Sequence, residues 1–334
     1  MTAINKLKVL HVAVGVIRND SDEILIARRN SQQHQGGKWE FPGGKVEQGE
    51  NVSTALAREL KEELGIEVKH DQPLCQIRHC YPDRHVFLEV REVTRFSGKP
   101  IGLEGQPLQW LAASEMDPGI FPAANQAIVR AARLPRNIAI INNSHDAEQD
   151  WPSVIAGFSA LPPQCWLRLR AITGSTPSQY LQKTKDFLIS STRNRPLLID
   201  LDVSLQSIAE LEALREKVLG LGLPGWGYYA NKQVLAAMSE QRPPLLENIT
   251  IGASCHNQQE YQLAVDKGMD FVIASPVASS TSHPENPGMG WRAFAAIAKT
   301  GMMPCFAMGG LSQQDYHLAR QSAAYGIAGI SLYR

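Results

Sequence analysis

Apolar and polar positions alternate at the start of the chain. Val12, Val14 and Val16 alternate in "HVAVGVIRND", and "EILIARR" follows beyond the turn residues Asn19–Asp22. A two-residue period on both sides of a polar turn predicts two strands joined as a hairpin. A polar, glycine-bearing loop, "NSQQHQGGK", then leads through "WEFPGG" into "GGKVEQGENVSTALARELKEELGI". In that stretch Val52, Leu56, Leu60 and Leu64 recur at helical spacing and form one slowly drifting apolar stripe. Asn51 is placed to cap the helix at its start, and Gly65 to end it in a left-handed turn. "CQIRHCYP", "HVFLEVREVTRF" and "LQWLAA" read as further strands, and a helix, "AANQAIVRAARL", closes this part before Pro135.

From residue 137 the rhythm changes. "NIAIIN", "WLRLRAI", "PLLIDLD", "GWGYYA", "ITIGAS", "DFVIASP", "PCFAMGG" and "GIAGISL" are eight short apolar runs, seven of them followed by helical material. Strands alternating with helices predict parallel βαβ units, and eight such units predict a (β/α)8 TIM barrel. The chain stops at Arg334, which leaves no room for a helix after the eighth strand. The helix at 123–134 is the candidate to fill that gap in the outer ring.

Length and composition sharpen this two-part picture. At 334 residues the chain exceeds one average domain, so two are expected, 1–135 and 136–334. Lys+Arg and Asp+Glu both total 33, so there is no overall basic surface for a long nucleic acid. The five cysteines are scattered without a CxxC pair or a His/Cys cluster, which argues for free thiols in a reducing cytoplasm and against a zinc site. The apolar run "VLHVAVGVI" is far shorter than the ~20 residues that span a bilayer, and no membrane association is expected.

The helix at 52–64 carries the chemistry. Turning about 100° per residue places Glu59, Glu62 and Glu63 in one arc beside the apolar stripe, with Thr54, Ala57, Arg58 and Lys61 away from the core. A merely solvated face would place those glutamates with Lys61. Carboxylates crowded beside a buried stripe raise each other's pKa, and a divalent cation removes that penalty. Magnesium, which takes carboxylate oxygens together with water and phosphate, fits the residue types.

The spacing of Gly44, Glu50, Arg58, Glu59, Leu60, Glu62, Glu63, Gly65 and Ile66 resembles the Nudix box, G-x5-E-x7-R-E-U-x-E-E-x-G-U with U aliphatic, at every fixed position. Over about residues 8–134 the chain is also similar to MutT-type 8-oxo-dGTP diphosphatases. The resemblance is carried by "ARRNSQQHQGGKWEFPGGKVEQGE", "YPDRHVFLEV", "LEGQPLQW" and "FPAANQAIV". It implies an α/β/α sandwich with a mixed sheet. It also implies magnesium, with manganese as a substitute, bound by Glu59, Glu62, Glu63 and a carbonyl of the Gly43–Gly44 turn. Glu104 would be a further ligand or base, and Arg58 would brace a glutamate. A nucleotide pocket would contain Arg29, His34, Phe41, Asp83 and Arg84, with Tyr81 where the family often has phenylalanine. Asn125 would read the purine edge; as a residue type it serves equally as a helix N-cap.

The second part resembles the thiamine-phosphate synthase/TenI family through "IGASCHNQQEYQLAVDKGMDFVIASPVASSTSHP" and "PCFAMGGL". Barrel sites lie at the C-terminal ends of strands, which makes Arg170, His256, Ser275, Gly309 and Gly310 candidates for binding a phosphate or a phosphorylated thiazole-type ligand. The chain departs from the synthase pattern in three places. "RLRAI" keeps Arg170 but not the glutamine or lysine of Q-L-R-x-K, Asp200–Leu201 replaces an Asn-Asp pair, and His283 replaces a lysine. The expected function is magnesium-dependent hydrolysis of an oxidised purine nucleoside triphosphate, fused to a degenerate synthase-like barrel. The alternatives are a bifunctional thiamine enzyme and a barrel that senses a ligand or serves as a homodimer platform.

Overall fold

The computed structural model describes residues 9–32, 35–142, 165–170, 196–201, 208–220, 222–223, 225–238, 246, 249–280, 284–330 and 332. The chain divides into two compact units. One takes in Met1–Leu134 and Thr300–Met303, the other Pro135–Lys299 and Pro304–Arg334.

The first unit runs β1 (Val9–Ile17), β2 (Ile24–Arg28), β3 (Trp39–Glu40), β4 (Gly43–Lys45), α1 (Val52–Leu64), β5 (Glu67–Cys80), β6 (His85–Ser97), β7 (Leu108–Leu111) and α2 (Ala123–Ala132). Its strands form a mixed sheet in the order β4-β1-β6-β5 and a second sheet in the order β3-β2-β7. The expected β1–β2 hairpin is therefore only a turn. Arg18 and Ile24 form one antiparallel bridge, after which the strands part into different sheets. Both edges of β1 are already taken, antiparallel by β4 and parallel by β6, so β2 pairs elsewhere.

The alternation in β1 has a consequence for the site. Ala13 and Ile17 face α1 and join Leu56, Leu60 and Leu64 in one core. A Cβ at Gly15 would sit 3.3 Å from both Leu56 and Leu60, so that glycine lets the helix lie close on the strand. Leu10, Val12 and Val14, on the other face, floor a cleft. Helix α1 is capped as its sequence predicts: Thr54 N–H donates to the Asn51 side chain, and Gly65 ends the helix at φ 69°. Helix α2 belongs to this first unit, where it packs on β5.

A buried ion pair ties these layers together. Arg18 donates from Nε to Glu92 at 2.9 Å and from Nη2 to the Ala132 carbonyl at 2.7 Å, and Gln72 donates to the other Glu92 oxygen at 3.0 Å. Glu92 is fully buried, so Glu92→Ala would take away the guanidinium's buried carboxylate partner, while Asp22 still pairs with Nη1 at 3.0 Å. Urea unfolding of that variant is expected to show a loss of about 3–5 kcal/mol, the usual cost of breaking a buried pair from one side.

The second unit is a closed barrel of eight parallel strands: β8 (Asn137–Asn142), β9 (Trp166–Arg170), β10 (Leu197–Asp200), β11 (Trp226–Ala230), β12 (Thr250–Cys255), β13 (Phe271–Ala274), β14 (Cys305–Met308) and β15 (Gly326–Gly329). Described helices follow β10 through β14, at Ile208–Leu219, Lys232–Ala237, Gln258–Asp266, Gly290–Ala298 and Tyr316–Gln321. The helical stretches expected after β8 and β9 lie outside the described residues. Among the described residues no helix is long and apolar enough to cross a membrane.

Candidate active site

The site is built where β4 meets α1. A Cβ at Gly43 would fall 2.2 Å from the Ala13 carbonyl oxygen, so the turn backbone approaches β1 too closely for a side chain. Gly43 N–H donates to Glu63 Oε2 at 3.2 Å. A Cβ at Gly44 would lie 2.1 Å from the Glu59 carboxyl carbon. The two glycines thus leave room for the backbone on one side and a helix glutamate on the other.

Arg58 braces the outer side. Its Nε and Nη2 reach the two Glu50 oxygens at 3.0 Å each, and its Nη1 reaches Glu59 at 2.9 Å and Glu62 at 3.3 Å. Nη2 also donates to the Lys45 carbonyl at 3.0 Å. These bonds, first those to Glu50 and then that to Glu59, raise the guanidinium pKa above its ordinary value. Glu63 lies inside the site. Burial pushes its carboxyl up to about 8, against the Gly43 N–H, with Glu104, Glu40 and Glu59 adding repulsion. Burial also raises Glu40, opposed by its ion pair with Arg29.

Among the described residues no three His, Cys, Asp or Glu side chains already converge as a cation cage. Arg58 draws Glu59 and Glu62 to one side while Glu63 turns to Gly43. The donor set nevertheless fits a hard divalent ion. It consists of carboxylate oxygens, one of which burial, with added repulsion from its neighbours, pushes up to about 8.

Two clefts open from this centre. One, of about 330 Å³, is lined by Arg28, Arg29, Glu40, Gly43, Glu63 and Glu104 among others. The other, of about 300 Å³, is lined by Val12, Val14, Phe41, Tyr81, Arg84 and Asn125 among others. Arg29, Glu40, Gly43 and Glu63 border both.

Most sequence-predicted residues meet here. Phe41 is buried and stacks on Phe121 with centroids 5.4 Å apart. Glu104 sits on a loop tied to α1, its N–H donating to Gln106 Oε1 at 2.9 Å while Gln106 Nε2 donates to the Glu63 carbonyl at 3.1 Å. Asn125 is not the cap of α2. The helix starts at Ala123 with Pro122 in the cap position, and Asn125 borders the second cleft. Asp83 lines neither cleft; it is exposed and paired with Arg84 at 2.9 Å. Glu62 also lines neither and is mostly exposed. His34 lies outside the described residues. The sequence reading missed Glu40 and Gln106, although an acidic residue inside the apolar run "WEFP" was a signal for the first.

Residues 13–131 match the NUDIX domain family, and residues 232–332 match the family described as thiamine monophosphate synthase. The chain is 42% identical to the 8-oxo-dGTP diphosphatase of Escherichia coli over 130 residues, 39% of this chain and 99% of that protein. It is 38% identical to the CTP pyrophosphohydrolase of the same organism over 109 residues, 33% of this chain and 80% of that one. Among solved structures it is similar to a thiamine phosphate pyrophosphorylase from Pyrococcus furiosus, at 16% identity over 59% of this chain and 86% of that one, with a TM-score of 0.42.

The chain belongs to the Nudix family.

Its Nudix domain makes it a pyrophosphohydrolase, and a thiamine-phosphate-synthase-like barrel follows that domain. In the barrel of this Nudix chain, Arg170 is exposed at the end of β9. His256 follows β12, its Nδ1 2.7 Å from Glu260 Oε2, and Glu260 is also bound by Lys232 at 2.8 Å. Ser275 is buried after β13, and Gly309 and Gly310, at φ 103° and 64°, follow β14. A Cβ at Gly310 would meet the Ser279 carbonyl at 2.0 Å, so two loops touch there. Asp200 is engaged by Arg168 through bonds of 2.7 and 3.1 Å, and Arg168 lies 3.6 Å from the Tyr229 ring centre. Two of the departures from the synthase pattern thus meet as one ion pair, which neutralises Asp200. His283 lies outside the described residues.

Proposed function

We propose that residues 1–135 hydrolyse a nucleoside triphosphate with magnesium, or manganese in its place, and that 8-oxo-dGTP is the preferred substrate. Residues 136–334 are then a barrel without synthase activity that retains a site for a phosphorylated ligand. The observation that carries this reading is the meeting of the two clefts at Gly43 and Glu63. One cleft offers carboxylates and arginines suited to a metal-bound phosphate chain. The other offers aromatic walls and an amide suited to a base. A similar relative named for this activity supports the choice of substrate.

In this scheme Glu59, Glu62, Glu63 and Glu104, with a carbonyl of the Gly43–Gly44 turn, hold the cation. When bound, it offsets phosphate charge and lowers the pKa of a water. Arg29 pairs with phosphate oxygens, and Arg58 keeps Glu59 aimed. Water attacks the β-phosphorus, the bond to the bridging oxygen breaks, and nucleoside monophosphate leaves from pyrophosphate. Asn125 offers a donor and an acceptor to the purine edge. Five cysteines without a disulfide fit a cytoplasmic setting, and hydrolysis of 8-oxo-dGTP would cleanse the nucleotide pool.

Steady-state kinetics on 8-oxo-dGTP, dGTP, CTP and thiamine diphosphate test the reading. A clear preference in kcat/KM for 8-oxo-dGTP is expected, and equal values for 8-oxo-dGTP and dGTP would refute it. The fused synthase-like barrel favours thiamine diphosphate as the second reading, and the same assay separates the two.

A further inference from the structure

Helix α2 begins without a cap of its own. The first N–H groups of any helix lack partners within it, and a side-chain oxygen at the cap position normally accepts from one of them. Here Pro122 occupies that position and supplies no side-chain acceptor. Asn125 N–H is satisfied by the Pro122 carbonyl at 2.9 Å. Ala124 N–H instead donates to the Tyr81 hydroxyl, 3.2 Å away, across 43 residues of sequence.

Tyr81 is well placed to hold that bond. It opens the turn between β5 and β6, which its own N–H closes on the Arg84 carbonyl at 2.8 Å. Its ring packs edge-on against His79, with centroids 4.4 Å apart. Tyr81, Ala124 and Asn125 all line the cleft assigned to the base.

We infer that the Tyr81 hydroxyl is the missing N-terminal cap of α2 and thereby sets the position of the Asn125 amide. Tyr81 is a positioning residue for base selection as well as a wall of the cleft. This rests on the nucleotide reading of that cleft. A phenylalanine would keep the ring and its packing but leave Ala124 N–H without an acceptor. The first turn of α2, and Asn125 with it, would then be less firmly held.

The test uses the full chain with Tyr81→Phe, and with Tyr81→Phe combined with Pro122→Ser, which gives α2 an ordinary cap. Tyr81→Phe is expected to lower the kcat/KM ratio for 8-oxo-dGTP over dGTP roughly three- to tenfold, the range of one hydrogen bond, with more of the change in KM than in kcat. Amide exchange at Ala124 should quicken, and the serine should slow it again and recover most of the ratio. An unchanged ratio in Tyr81→Phe, or unchanged exchange at Ala124, overturns the inference. So does a serine variant that restores neither. If the wild-type protein shows no preference for 8-oxo-dGTP, the nucleotide reading and the selection role fall together. Exchange at Ala124 still decides the cap by itself.

Discussion

Replacing Glu63 with glutamine is expected to lower turnover at least about a hundredfold while leaving the domain folded and, without metal, more stable at high pH. The turnover loss follows from removing a proposed cation ligand; the stability effect follows from burial, which with help from Glu104, Glu40 and Glu59 raises this carboxyl to about 8. A carboxyl whose folded pKa lies above its ordinary value favours the folded state at low pH and loses that contribution as pH rises through the folded value. In chelator, the wild-type domain should therefore lose stability between about pH 4.5 and 8, by a few kcal/mol at most. Glu63→Gln cannot ionise and should lack that loss. Urea unfolding at pH 5 and pH 8.5 in chelator, beside a turnover assay with magnesium, measures both. Near-normal turnover would remove Glu63 from the metal site, and parallel pH dependence in both proteins would remove the burial explanation.

Gly44→Ala is expected to cost about a hundredfold in activity with little change in stability. The added Cβ would fall 2.1 Å from the Glu59 carboxyl carbon. That carboxylate is the far end of a flexible side chain, so the side chain gives way and the backbone need not. Glu59 is a proposed cation ligand, and a displacement of about 1 Å in such a carboxylate is enough for this loss. The neighbouring glycine gives the contrast: at Gly43 the Cβ would meet the Ala13 backbone oxygen at 2.2 Å, at φ 144°, so alanine there should damage the fold itself. Turnover, apparent magnesium affinity and urea midpoints of the two variants separate these outcomes. Full activity in Gly44→Ala would mean that Glu59 has no fixed place in the reaction.

Where a chemical role rests on local spacing, the sequence reading was strong. The helix at 52–64 was legible down to its caps, because Asn51, the leucine stripe and Gly65 act within a few turns of one another. All eight barrel strands were visible as short apolar runs, because parallel strands buried on both faces leave that signature. The β1–β2 hairpin failed because periodicity reports that a strand exists, not which edges are free. β4 and β6 had already taken both edges of β1. The N-cap alternative for Asn125 failed because α2 starts two residues earlier, with a proline in the cap position.

The sequence by itself determined the elements, the two-part organisation and the cluster of glutamates, since each depends on residues close together in the chain. Only the tertiary structure decided what those glutamates do to one another. Arg58 holds Glu59 and Glu62, whereas Glu63 accepts from the Gly43 N–H and is raised first by burial and then by carboxylates from two other segments. It likewise decided that Arg168 neutralises Asp200 and that Tyr81 caps a helix 43 residues away. Charge repulsion, burial and capping act through space over a few ångströms, and no spacing along the chain encodes which distant side chains come that close.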